Sequence, residues 1–331
     1  MATEEPEKLA ENTESDSAPN KTGTMSFPGD DPRHKPYVLE GWDLPPRGPR
    51  STNWKTHIAG LRSLELRDDD IFLLAYPKAG THWLWEVLSM LLQGKAQYDD
   101  RPKEQLMMEM SDLEKLEQTP SPRIFNSHLP FFMLPWKQMK EKKSKVLHVY
   151  RNPKDSCVSY YHHMKGFRNM DFSDYFELFF YGKMDSGNYF EHLKQVLTFT
   201  LENPDVPFLS LSFEDMKKNP VQNVKKLAKF LETDLSDEIC EDIAEACSFQ
   251  NLKINAELKK HPPFPHPPTP PSTPTSHGDL KHDDKKKPFF EAYRKGEIGD
   301  WKNYFTAEMN ERVDPLIEEK MEGLPYILQY S

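Results

Sequence analysis

The feature that most constrains this 331-residue chain is an apolar run, Ile71-Phe72-Leu73-Leu74-Ala75-Tyr76, followed by Pro77-Lys78-Ala79-Gly80. A run apolar at every position fits a strand buried on both faces. After the short turn, Trp83, Leu84, Val87, Leu88, Leu91 and Leu92 recur at helical spacing, and Gly94 follows as a C-cap. The pattern then repeats. Val146–Tyr150 reads as a second strand, and Asn152-Pro153 supplies an N-cap and a first-turn proline for the next helix. Phe208 to Phe213 alternates, with Leu209, Leu211 and Phe213 on one side of a third strand. Asn219-Pro220 caps a further helix with Val221, Val224, Leu227, Ala228 and Leu231 on its inner stripe, and Ser236 starts another through Ile239, Cys240, Ile243 and Ala244. Alternation of this kind predicts an α/β fold: a single domain with a mostly parallel central sheet flanked by helices on both faces. In such sheets ligands bind beyond the carboxyl ends of the strands.

Charge narrows the function classes. Forty-three Lys and Arg against 53 Asp and Glu leave a net charge of -10, which opposes a nucleic-acid binder working by bulk charge. An anion site must therefore be a local basic pocket. No stretch approaches the roughly 18 apolar residues of a membrane span, and Met1-Ala2-Thr3-Glu4-Glu5-Pro6 has neither the charge nor the apolar run of a signal peptide. Cys157, Cys240 and Cys247 are odd in number and show no metal spacing. Reduced thiols and a cytoplasmic location are expected. Residues 1–36, rich in Glu, Ser, Asn, Pro and Asp, read as a disordered tail ahead of a domain spanning 37–331. A Pro-rich insert at about 261–288 interrupts that domain, and its histidines read as loop residues.

The turn Tyr76–Trp83 has the parts of a P-loop-like phosphate cradle. A strand-to-helix junction gathers unpaired backbone N–H groups and the positive end of the helix dipole. Lys78 adds a charge, Gly80 permits close backbone approach, and Thr81 adds a hydroxyl. The order is not that of nucleotide triphosphatases, because Lys precedes Gly by two. Arg151 leaves the second strand at its carboxyl end, where a forked donor can grip a phosphate, and Ser159 lies eight residues on. Arg294-Lys295-Gly296 offers a second pair of cations beside a glycine. Alone, each also fits a plain turn, a structural salt bridge or a solvated loop.

Together, YPKAGTHW at 76–83, RNPKDSCVSYYHH at 151–163 and RKGEIGDWKNYFT at 294–306 resemble the cytosolic sulfotransferases, in the right order, over roughly Asp69 to Met321. The resemblance implies transfer of a sulfuryl group from 3′-phosphoadenosine 5′-phosphosulfate (PAPS) to a hydroxyl or amine of a small acceptor such as a phenol, sterol or alcohol. It implies that Lys78, Ala79, Gly80, Thr81, His82 and Trp83 hold the 5′-phosphosulfate. Arg151, Ser159, Arg294, Lys295 and Gly296 correspond to the 3′-phosphate site. Trp83 and Phe249 correspond to the stacking residues for adenine, with Phe213 and Cys247 nearby. His128, in Ser127-His128-Leu129-Pro130, corresponds to the catalytic base, and its ordinary pKa of ~6.5 suits that role. Lys78 would offset charge on the bridging oxygen as the bisphosphate departs. The scheme requires no metal.

Departures from the family pattern are expected to matter. Asn126 stands where many members carry lysine two residues before the base, Ala79 replaces a frequent Ser, and His82 replaces a frequent Thr. These changes motivate an alternative: a sulfotransferase-like protein that binds nucleotide without turnover. A second alternative is a nucleotide kinase with a related phosphate loop, which the missing triphosphatase order opposes. Lys302, Thr306, Ala307 and Glu311 resemble the family's homodimer motif, with Ala307 in place of the usual Val. No nucleic-acid or membrane partner is expected. The insert directly precedes the Arg294 loop, so it is expected to alter lid behaviour.

Overall fold

The computed structural model describes residues 37–45, 49, 52–165, 170–182, 184–259, 293–326 and 328–329. The N-terminal tail and the Pro-rich insert, with its proposed lid role, lie outside the described residues.

After a small antiparallel pair, β1 (Tyr37–Leu39) and β2 (Trp42–Leu44), and helix α1 (Trp54–Ser63), the chain enters its central sheet at β3 (Ile71–Ala75). Three further strands are β4 (Ile124–Ser127), β5 (Lys145–Tyr150) and β6 (Phe208–Ser212). The order is β4-β3-β5-β6 and every pairing is parallel. The α/β expectation is thereby met. All five residues of β3 are buried, because helices cover both faces of a parallel sheet.

Strand periodicity sorts the core into two layers. Ile71, Leu73 and Ala75 of β3, with Leu147 and Val149 of β5, face α2 (Thr81–Gln93), α9 (Pro220–Leu231) and α10 (Asp237–Ala246). Phe72 and Leu74, with Phe125 and Val146, face α1, α4 (Trp136–Glu141) and α7 (Tyr189–Glu202). A third, mostly aromatic cluster joins Tyr76 to α5 (Pro153–Met164), α6 (Phe172–Tyr181), α7 and α12 (Ala307–Met321).

The helix punctuation follows the chain. Gly94 ends α2 at φ 69°. The Asn152 side chain accepts from the N–H of Lys154 with Pro153 in the first turn, and Ser236 caps α10 through Ile239 N–H. Asn219 does precede a helix beginning with Pro220, but its side chain makes no cap bond there; it donates to Asp215 of α8 (Phe213–Lys218) instead. The third strand also ends one residue early. Ser212 accepts from the N–H of Asp215 and opens α8, so Phe213 lies in a helical first turn.

Strand β4 is an addition to the sequence reading. Its four residues, Ile-Phe-Asn-Ser, are half polar and follow a Pro-containing stretch, so no apolar period marks it. Its start is pinned instead by a buried two-bond pair, Arg123 Nε to Asp70 Oδ1 at 2.7 Å and a second nitrogen to Oδ2. Among the described residues no helix is long and apolar enough to cross a membrane.

Candidate active site

All the predicted site residues on the sheet cluster at the carboxyl ends of its four strands. After β3, Lys78 at φ 68° and Gly80 at φ 119° both take the left-handed region. Between them the Ala79 N–H closes the turn on the Tyr76 carbonyl at 3.2 Å, and the first helical bond of α2 runs from Leu84 N–H to the Gly80 carbonyl, so the N–H groups of residues 80–83 lead the α2 N-terminus. Gly80 is required here on a second ground: a Cβ would stand 3.0 Å from the Phe213 ring. The hydroxyl of Thr81 is buried and has no hydrogen-bond partner among the described residues. An orphaned hydroxyl at a helix N-terminus beside a lysine fits a phosphate oxygen.

Arg151 ties the three motifs together. One terminal nitrogen donates to the Glu297 carbonyl at 3.0 Å, and the other points at the Lys78 carbonyl at 3.5 Å. Its guanidinium lies 4.2 Å from the centre of the Phe213 ring, while its Nε is buried without a partner. The Tyr189 hydroxyl holds the Arg151 carbonyl. Burial opposes the charge of Arg151; Asp155 and Glu214 favour it, whereas Arg294 repels it. Ser159 is half-buried on α5.

The 293–300 segment is fastened to the same edge by Asp155, which accepts from the N–H of Gly299 at 2.7 Å and of Trp301 at 3.0 Å. Arg294 and Lys295 both pair with Asp300. Burial alone would raise the Asp300 carboxyl, but these two cations and Asn303 bring it down to about 2. Gly296 sits at φ 64°, and a Cβ there would fall 2.2 Å from the Phe249 ring. Trp83 meets Phe213 edge to face at 5.5 Å, and Phe249 meets Tyr293 at 6.5 Å. Cys247 turns inward: its thiol lies 3.7 Å from the Met90 sulfur, and burial raises its pKa above the ordinary thiol value. The same residue lines a crevice with Trp83, Met216 and Asn223.

His128 follows β4 directly. Its Nδ1 is 2.7 Å from the Ala75 carbonyl, so that nitrogen carries the proton and Nε2 is left as the basic atom. The backbone N–H of His128 and the Ser127 hydroxyl both donate to the buried carboxyl of Glu109, each at 2.8 Å. Burial, followed by the positive charge of Lys103, pushes the His128 pKa down to about 3. The imidazole is therefore neutral at pH 7.

His82 does not face the phosphate turn with a free ring edge. Its Nε2–H donates to Glu104 at 2.9 Å, and burial lowers its pKa to about 4. Sequence reasoning missed Lys103, Glu104, Glu109 and Asp300. Charged residues in a polar stretch ordinarily read as solvated surface, and only the fold buries Lys103 against Asn126 and Glu109 against His128. Among the described residues no group of three or more His, Cys, Asp or Glu is placed to hold a metal ion.

A parallel sheet whose strand ends gather a lysine- and glycine-bearing turn, a forked arginine and a neutral histidine has the parts that transfer of an anionic group calls for. Residues 68–325 match the sulfotransferase domain family. The chain is 35% identical over 289 residues to dog sulfotransferase 1B1, covering 82% of this chain and 89% of that one. It is 31% identical to rabbit amine sulfotransferase, with 80% and 85% covered. The crystal structure of mouse sulfotransferase SULT7A1 complexed with PAP superposes with a TM-score of 0.66 at 28% identity, covering 88% of this chain and 96% of that one. This chain belongs to the sulfotransferase family, and it is a PAPS-dependent sulfotransferase. The kinase alternative is not favoured.

Proposed function

We propose that this sulfotransferase acts on a hydroxyl or amine of a small acceptor with His128 as general base and with Lys78 and Arg151 at the two phosphate ends of PAPS. The observation that carries the assignment is the Arg151 fork, which touches both the Lys78 turn and the Glu297 carbonyl and so draws three distant motifs to one strand edge. PAPS supplies an activated sulfuryl group on a good leaving group. The chain supplies position and charge. Thr81 Oγ1, Lys78 and the backbone N–H groups of residues 80–83 meet the 5′ end. Arg151, Ser159, Arg294, Lys295 and Gly296 meet the 3′-phosphate, for which Arg294 and Lys295 exchange Asp300. Trp83, Phe213, Phe249 and the Cys247 turn flank the adenine. His128 Nε2 takes the acceptor's proton as its oxygen or nitrogen attacks sulfur, and Ala75 keeps the ring in the required tautomer.

An acceptor panel of phenols, sterols, aliphatic alcohols and amines with radiolabelled PAPS tests this, alongside calorimetry with 3′,5′-bisphosphoadenosine. Label transfer that is lost in His128→Ala, with bisphosphate binding kept, supports it. Bisphosphate binding without transfer to any acceptor favours the binding-only alternative.

Two further readings accompany this one. Lys302, Thr306, Ala307 and Glu311, from the turn before α12 into its first half, are all exposed, as a homodimer contact requires. A cytoplasmic location accords with three free thiols, all buried.

A further inference from the structure

Lys103 has no place in the site so far, yet it is a lysine only 5% exposed beside the base. It opens a single 3-10 turn, Lys103–Leu106, that lies against β4. Asn126 grips it at both ends. The Asn126 side-chain N–H donates to the Lys103 carbonyl at 2.8 Å, and its Oδ1 accepts from Lys103 Nζ at 3.3 Å. Glu104 Oε1 lies 3.6 Å from the same ammonium and is shared with His82. Both contacts of Nζ are long for charge-assisted bonds, which favour ~2.7–2.9 Å. An ammonium has three N–H donors, so this one is held loosely.

Its direction follows from the strand. Asn126 is two residues before His128, which leaves the carboxyl end of β4, and an extended chain carries side chains at that spacing to the same side. The Lys103 ammonium, resting on Asn126, therefore lies on the side of β4 from which the base projects. In agreement, burial is the first cause of the low His128 pKa and the Lys103 charge is the second. Burial likewise leads for His82, with Lys103 next. One cation thus acts on both rings, His128 after β4 and His82 in the first turn of α2.

We propose that Lys103, mounted on Asn126, is a further catalytic residue whose ammonium contacts the non-bridging oxygens of the sulfuryl group during transfer. The proposal rests on the sulfotransferase reading above. In the step, the acceptor oxygen or nitrogen forms a bond to sulfur and the bond from sulfur to the bridging oxygen breaks. That electron pair leaves with the bisphosphate, and the acceptor's proton goes to His128 Nε2. Sulfur changes neither oxidation state nor its count of non-bridging oxygens, so Lys103 serves those oxygens throughout. Lys78 serves the bridging oxygen. Two cations, one for each end of the breaking bond, stabilise charge in a place where water is scarce.

The test compares the full chain with Lys103→Met, Lys103→Arg and the double variant Lys103→Met/Asn126→Lys. Readouts are kcat with saturating PAPS, bisphosphate affinity by calorimetry and thermal unfolding. The bisphosphate product lacks the sulfuryl oxygens, so it reports the nucleotide site alone. Lys103→Met is expected to lower kcat about 100-fold, in the range of losing one preorganised donor, with bisphosphate affinity within about threefold of the wild type. Restoring an ammonium through Asn126→Lys is expected to recover at least tenfold of that loss. Unchanged kcat in Lys103→Met overturns the proposal, as does a matching loss of bisphosphate affinity. Should Lys103→Met not fold, the double variant and Lys103→Arg decide: folded, nucleotide-binding variants that carry the charge and transfer support it, and ones that do not transfer overturn it. A wild-type protein that binds no bisphosphate sinks the underlying sulfotransferase reading instead, whatever Lys103 does.

Discussion

The Nδ1–H of His128 donates to the carbonyl oxygen of Ala75 at 2.7 Å, so the end of β3 sets the tautomer of a residue that follows β4. Adjacent parallel strands fix this relationship, because Leu74 and Ser127 are register partners. The His128 imidazole is therefore oriented by a backbone carbonyl of the sheet, while the Glu109 carboxyl holds the backbone N–H of the same residue. His128→Ala is expected to lower kcat by about a thousandfold, within the span of general-base contributions. Bisphosphate affinity should change less than threefold. Parallel losses in rate and affinity would mean that His128 holds nucleotide rather than moving a proton.

Arg151→Lys keeps a charge but loses the fork and the stack on Phe213. A lysine cannot reproduce two divergent donors. Affinity for 3′,5′-bisphosphoadenosine is expected to fall about 30-fold, while affinity for adenosine 5′-phosphate, which has no 3′-phosphate, falls less than threefold. Calorimetry with both nucleotides checks this; equal losses would remove Arg151 from the 3′ end.

Gly296→Ala introduces a Cβ that would meet the Phe249 ring at 2.2 Å, at a φ of 64° that disfavours side chains. The 293–300 segment must then shift away from Phe249. A loss of at least tenfold in bisphosphate affinity is expected with little change in thermal unfolding, since this segment lies at the rim of the fold. A variant with native affinity would show that Phe249 and Gly296 do not act together.

Acid should destabilise the protein through its buried histidines, although burial raises the carboxyls of Glu109 and Glu214 and so works the other way. Burial holds His128 down to about 3 and His82 and His192 down to about 4. Lys103 faces both His128 and His82, Lys78 adds to the repulsion on His82, and Glu104 opposes it. In the unfolded chain these rings titrate near ~6.5. Between that value and about 4 the unfolded state binds more protons than the folded state, so stability falls as pH falls. Asp300, held at about 2, acts in a lower window. Thermal unfolding midpoints are expected to be level above pH 7 and to drop by several degrees by pH 5. A flat profile across that interval would contradict the burial of these rings.

Ala307→Val should tighten self-association if the exposed start of α12 is a dimer contact. Two added methylene equivalents are together worth at most ~1.6 kcal/mol per chain by transfer arithmetic. Sedimentation equilibrium is expected to show a dimer at least tenfold tighter than that of the wild type. No change would place the contact elsewhere.

Much of the site is local enough to read from the chain. Strand β3 declares itself because a parallel strand is buried on both faces, and Gly94, Asn152 and Ser236 end or start helices through bonds to near neighbours. Lys78, Gly80 and Thr81 occupy one short turn, so their spacing alone places them together. Phe213 was misread as strand because its alternation continued past β6, whereas Ser212 caps a helix.

What sequence by itself determined, then, is the sheet's parallel class and the strand-turn-helix junction that carries Lys78, Gly80 and Thr81, since both depend on periodicity and on residues within a few positions of one another. Only the tertiary structure decided the rest. Strand β4 carries polar Asn126 and Ser127 because its partners are Lys103 and Glu109, about twenty residues upstream. Arg294 and Lys295 lie on Asp300, and Arg151 reaches Glu297 across 146 positions. A buried charge has no local signature. Its partner is chosen by which chain segments the fold brings to one edge, and desolvation makes that choice binding.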